Sequence, residues 1–161
     1  MSDWIQQNFP DIYRIGMRGA NSWPDAIYAT LYMTVISFII GGLLGLIMGL
    51  FLVLTGPRGV IENKFIFQIL DKITSIFRAI PFIILLAILK DFTYFIVGTN
   101  LGKTAALVPL SAATFPFFAR QVQVVLADLD RGVIEAAQAS GANLWDTIKV
   151  YLGEGLPELV R

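Results

Sequence analysis

The run AIYATLYMTVISFIIGGLLGLIMGLFLVLT, from Ala26 to Thr55, holds thirty residues without a charge. Coiled as an α-helix it extends about 45 Å, against a hydrocarbon core of roughly 30 Å, and so predicts a transmembrane span. A cleaved signal peptide fits poorly, because its apolar region would be roughly 7 to 15 residues, close to the start and behind a basic tip. Here the preceding 25 residues are mixed polar. Trp4, Tyr13 and Trp23 are placed like interfacial anchors, and Arg14 and Arg18 are offset by Asp11 and Asp25. Within the run, Gly41, Gly45 and Gly49 recur every four residues. They fall on one helix face and leave a flat strip for helix packing, either as a static contact or as a seam that slides during function. Gly56-Pro57 ends the helix.

The whole composition agrees with a bilayer as solvent. Of all residues 56% are hydrophobic and 15% charged, where a soluble domain carries roughly a quarter charged. The formal net charge is zero and the basic residues are dispersed, so nothing favours a nucleic-acid partner. The chain has no Cys and no His. That removes disulfides, thiol nucleophiles, the usual zinc ligands and the common general base together. Neither a metal nor a cofactor is expected.

Two further spans are predicted downstream. Ala79 to Leu89 is uncharged but too short to cross. From upstream into it, Ile61, Phe65, Ile69, Ile73, Phe77 and Pro81 are spaced by fours, the pattern of an amphipathic helix at or entering a membrane surface. A helix over about residues 70–92 spans if Lys72 and Arg78 snorkel to the headgroups, with Pro81 kinking it. The third span covers about residues 101–126, with Pro109 and Pro116 inside. Pro81, Pro109 and Pro116 are thus candidate gating positions, where a bent or loosened helix borders a pathway. The expected fold is all-α and integral to the membrane: an N-terminal segment over 1–25, a transmembrane region over 26–127, and a polar tail over 128–161.

Orientation follows from Lys and Arg. Arg58, Lys64, Lys72 and Arg78, with Arg120, Arg131, Lys149 and Arg161, flank one side; Arg14, Arg18, Lys90 and Lys103 flank the other. The excess marks the cytoplasmic side, which puts the N-terminus outside and the tail inside. No Asp or Glu lies in the uncharged core of any span, so an intramembrane proton or sodium relay has no carboxylate to use. Gly98 to Thr104 resembles a phosphate-binding loop, and Val124 to Asp128 a metal-binding strand. However, only three residues stand between Gly98 and Gly102-Lys103 where that loop needs four, and Pro109 interrupts the helix that follows. An ATPase is the weaker reading.

In the tail, Asp128 and Asp130 offer N-caps, Val133 to Ser140 is rich in Ala, and Gly141 stops the helix. Asn143 and Asp146 are spaced to start a second helix by reciprocal capping. Helix, tight turn, helix is the result. It reads either as an ordinary hairpin or as a small-residue face that lies in a partner's groove.

The stretch Glu135-Ala136-Ala137-Gln138-Ala139-Ser140-Gly141-Ala142 resembles the EAA loop of ABC importer permeases. The resemblance extends in order through Arg78 to Leu86, Ile96 to Gly102, Ala105 to Leu110 and Pro116 to Arg120, and looks like the permease subunit of methionine ABC importers. It implies that Glu135, Ala136, Ala137, Ala139, Gly141 and Ala142 dock a separate cytoplasmic ATP-binding subunit, and that this chain gates a pathway and does no chemistry itself. It further implies a permease homodimer in the plasma membrane, an external substrate-binding lipoprotein, and five spans per chain of type I architecture. Since the sequence stops at Arg161, where a fourth span would begin, the expectation is a chain lacking its C-terminal spans. A truncated membrane adaptor that docks the ATPase without transporting is the alternative. Leu156-Pro157 also stand later than the family pattern places them.

Overall fold

The computed structural model describes residues 2–17 and 22–160. Arg18 and Arg161, and the side chains of Tyr13 and Arg14, lie outside the described residues. Every element among those described is helical: α1 (Ser2–Asn8), α2 (Pro10–Met17), α3 (Trp23–Thr55), α4 (Lys64–Ala79), α5 (Phe82–Ile88), α6 (Lys90–Val97), α7 (Lys103–Ala127), α8 (Arg131–Ala139) and α9 (Leu144–Val160).

α3 runs for 33 residues, about 50 Å of helix. It starts at Trp23, with Pro24 in the first turn, where a missing N–H costs nothing, and stops before Gly56. It is the one helix among the described residues that is long and apolar enough by length and composition to cross a membrane. Leu31, Val35, Phe38, Ile39, Leu43, Leu44, Ile47 and Phe51 are 49 to 58% exposed along its flank. Leaving half of each such side chain in water forgoes about 1 kcal/mol per residue. This face is therefore built for an apolar surrounding.

The opposite face of α3 packs on α7 through the predicted glycine strip. A β-carbon built on Gly41 would stand 2.7 Å from Thr114 Cβ, and one on Gly45 2.7 Å from Phe118 Cβ and from the Phe115 carbonyl oxygen. On Gly49 it would meet Val122 Cβ at 2.6 Å. Each glycine thus admits the side chain one turn further along α7. Because residue numbers rise together on both helices, α3 and α7 run parallel. The Lys103 ammonium at the start of α7, 4.9 Å from the Tyr28 ring near the start of α3, fits the same register. Parallel neighbours of this length require the chain between them to climb back.

The climb is made in pieces. α4 is antiparallel to α7: Asp71 meets Arg120, and the Phe77 and Phe115 rings meet edge-on at 5.3 Å. The expectation of one kinked helix over 70–92 is corrected here. Ile80 (φ −76°, ψ 122°) and Pro81 (φ −57°, ψ 138°) are both extended and divide α4 from α5, because the proline ring drives the residue before it out of the helical region. Leu89 then divides α5 from α6. Arg78 lies over the Phe117 ring at 5.3 Å. The third segment is closer to expectation: α7 is continuous through Pro109 and Pro116, both buried. Phe92–Val97 is part of α6 and Val124–Ala127 part of α7. The strands that a phosphate-binding fold would need are helices.

Between α3 and α4 a tight turn places Arg58 at φ 69°, the left-handed region that costs a side-chain-bearing residue about 1 kcal/mol or more. Its N–H donates to Glu62 Oε2 at 2.9 Å, which holds the turn closed. Arg58→Gly is expected to raise the thermal midpoint in detergent, a gain of about 0.5 to 1 kcal/mol once glycine's greater unfolded-state freedom is discounted. An unchanged or lowered midpoint would show that the guanidinium contributes more than the backbone costs.

Candidate functional site

α8 begins at Asp130, whose carboxylate accepts from the Gly132 N–H at 2.8 Å. It ends in a glycine stop: Ala142 N–H donates to the Ala137 carbonyl and Gly141 N–H to the Gln138 carbonyl, each at 3.0 Å. Gly141 itself is at φ 85°. This paired arrangement satisfies two of the carbonyls that a helix end leaves open, and needs a residue without a β-carbon at the left-handed position. Asn143 Oδ1 then accepts from the Asp146 N–H at 3.0 Å and starts α9. The expected reciprocal half does not form; the Asp146 carboxylate pairs with Lys149 at 3.2 Å.

The hairpin has two unlike sides. On one, Ile134 of α8 and Tyr151 of α9 are buried in a cluster with Val53, Leu54, Val122 and Leu126, so both helices are rooted in the C-terminal ends of α3 and α7. Burial pushes the Tyr151 hydroxyl pKa up, partly opposed by the positive charge of Arg131. The neutral phenol is the form held there. On the other side, Ala136, Ala139 and Gly141 are exposed, with Ala137 and Ala142 half-buried, while exposed Glu135 borders the two. Glu135 reaches Arg131 at 4.0 Å and, with Gln138 and Arg58, lines a cavity of about 640 Å³ between this hairpin and the α3–α4 turn.

The six loop residues singled out from the sequence therefore run from the middle of α8 through its glycine stop. The glycine strip lies along the α3–α7 contact, and Pro109 and Pro116 are within α7, while Pro81 stands apart at the α4–α5 break. Two features escaped the sequence reading. Leu144 and Trp145 are exposed beside the turn, Trp145 at 63%, and Val133 is exposed at the start of α8; a tryptophan just after a polar turn was a signal available in the sequence. The other is Arg120, which donates to Asp71 at 2.7 Å and to Gln123 at 2.7 Å. Forty-nine residues separate that ion pair, so no local pattern discloses it.

Residues 41–160, which include the α3–α7 seam and the hairpin, match the family described as binding-protein-dependent transport system inner membrane component. The chain belongs to that family. This inner membrane component is 46% identical over 133 residues to a probable D-methionine transport system permease protein of Pasteurella multocida, covering 82% of this chain and 61% of that protein. It is 47% identical over 137 residues to the methionine import system permease protein of Bacillus subtilis, covering 84% and 62%. With the D-methionine transport system permease protein of Escherichia coli strain K12 it shares 43% over 136 residues, covering 84% and 63%. Among solved structures, its fold matches a chain of the methionine ABC transporter MetNI in inward-facing conformations, with a TM-score of 0.80 and 42% identity, over 83% of this chain and 62% of that one. The inner membrane component thus spans a little over three fifths of the length of these relatives.

Proposed function

We propose that this chain is a transmembrane permease subunit of an ABC importer for methionine, moved by a separate cytoplasmic ATP-binding subunit that docks on the α8–α9 hairpin. The names of the relatives favour methionine as the solute. One observation carries the coupling role: the hairpin is rooted by Ile134 and Tyr151 in the same cluster as the ends of α3 and α7, while its small-residue face and Trp145 point away, unburied. A push on that face moves the long helices.

In this reading α3, the broken segment α4 to α6, and α7 make three crossings. The parallel α3 and α7, with the return between them, support this count, and the basic residues favour the hairpin on the cytoplasmic side. The working assembly is a pair of permease chains with two ATP-binding subunits and an external binding lipoprotein. Nucleotide binding closes the ATP-binding pair, the hairpins follow, and the crossings reorient to release solute inward. The glycine strip keeps α3 and α7 together during that stroke, and the Pro81 break and the buried prolines of α7 are where the pathway yields.

The test combines transport with contact. Labelled methionine uptake into vesicles is expected to require both this chain and the ATP-binding subunit. Because the chain has no native cysteine, Ala136→Cys and Ala139→Cys give unambiguous crosslinks, expected to capture the ATP-binding subunit from the cytoplasmic side. Uptake independent of that subunit, or labelling of these positions from outside, would overturn the assignment.

A further inference from the structure

The polar contact between α4 and α7 has the makings of a transmission element, an inference that rests on the permease reading above. Arg120 Nη2 lies 2.7 Å from Asp71 Oδ1 and 3.4 Å from Ser75 Oγ, and Nη1 lies 2.7 Å from Gln123 Oε1. The Nε of the same guanidinium is buried without a partner. The two side chains are 26% and 35% exposed. By contrast, the Arg131–Glu135 and Lys149–Asp146 pairs join neighbours on one helix and are mostly exposed. Only a pair between helices can carry force from one to another.

Its position is what gives it a role. Asp71, Ser75 and Arg78 follow one another at helical spacing on α4, and Arg120 and Phe117 do so on α7. α4 is therefore clamped on the second half of α7, across Pro116, on the helix that leads into the hairpin. Its far end is the Ile80–Pro81 break, where the chain between α4 and α5 has no helical continuity. We propose that Asp71 and Arg120 are positioning residues for coupled transport: their ion pair makes α4 travel with α7, so that displacement of the hairpin reaches the Pro81 break. With the pair cut, the hairpin and α7 still respond to the ATP-binding subunit, but α4 lags.

The experiment measures uptake and ATP hydrolysis together, in proteoliposomes holding this chain with its ATP-binding subunit. Asp71→Asn and Arg120→Gln are expected to keep hydrolysis near the wild-type rate and to lower methionine uptake per ATP about tenfold, the scale of losing one charge-assisted hydrogen bond. Asp71→Glu keeps the charge and is expected to stay coupled. The exchanged pair, Asp71→Arg with Arg120→Asp, is expected to recover most of the coupling. Should Arg120→Gln fail to accumulate, Asp71→Asn on the more exposed partner carries the comparison. Neutral variants that couple like wild type, or an exchanged pair that accumulates yet stays as uncoupled as the single variants, would refute the positioning role. Wild-type chain without ATP-dependent uptake would instead refute the permease reading on which it rests.

Discussion

Gly45→Leu is expected to separate α3 from α7 and to abolish accumulation of the folded chain. The β-carbon alone would stand 2.7 Å from the Phe115 carbonyl oxygen and 3.0 Å from the Ala119 nitrogen. Both are helix backbone, which cannot rotate aside as a side-chain end can. The three further carbons of leucine have to be admitted by moving one helix bodily. Overpacking of this kind costs typically about 1 to 3 kcal/mol where neighbours can adjust, and more where they cannot. Gly42 supplies the internal control, since a β-carbon there meets nothing within 4 Å. Gly45→Ala is therefore expected to lower the thermal midpoint in detergent clearly and Gly42→Ala to raise it slightly, as removing a helix-interior glycine does where space is open. Equal midpoints for the two would mean that the seam is looser than its geometry indicates.

Trp145→Ala is expected to weaken binding of the ATP-binding subunit by about 2 kcal/mol, roughly thirtyfold in Kd, with little change in the stability of the chain alone. The two halves of that expectation have one cause. At 63% exposure the ring holds little of this fold together, yet a large rigid side chain beside a docking turn is the type that dominates interfaces. Half-exposed Leu144, next to it in the first turn of α9, adds apolar surface. Quantitative pull-down of the ATP-binding subunit by wild-type and variant chains in detergent measures it. An unaltered Kd would remove Trp145 from the interface and leave the alanines of α8 to carry docking alone.

What could be read without coordinates was whatever is written locally. The uncharged run Ala26 to Thr55 lies within α3 as a continuous helix, because a long, mostly apolar run with no charge in a bilayer must satisfy its backbone internally. Glycines spaced by four could only share a face, and they do, with α7 against them. The Ala-rich stretch ending in Gly141 became a helix with a glycine stop, down to the cap on Asn143. Over 70–92 the hydrophobic pattern was followed too far. Its period continued through Pro81, and the conformational demand of Ile80-Pro81 won over it. The Asp71–Arg120 pair and the parallel setting of α3 and α7 depend on residues dozens of positions apart, about which spacing within a helix is silent. Trp145 is local but ambiguous: an aromatic in the first turn of a helix reads equally as core or as contact surface until its exposure is known.

The seam between α3 and α7 also limits how this bundle can move. Thr114, Phe118 and Val122 sit in three gaps made by Gly41, Gly45 and Gly49, so the two helices mesh like a rack and its pawl. A shift of one helix along the other by less than four residues, about 6 Å, would lift the teeth onto full-sized side chains. Intermediate strokes are blocked. Short of a whole four-residue step, a displacement of either helix therefore carries its neighbour along as one body.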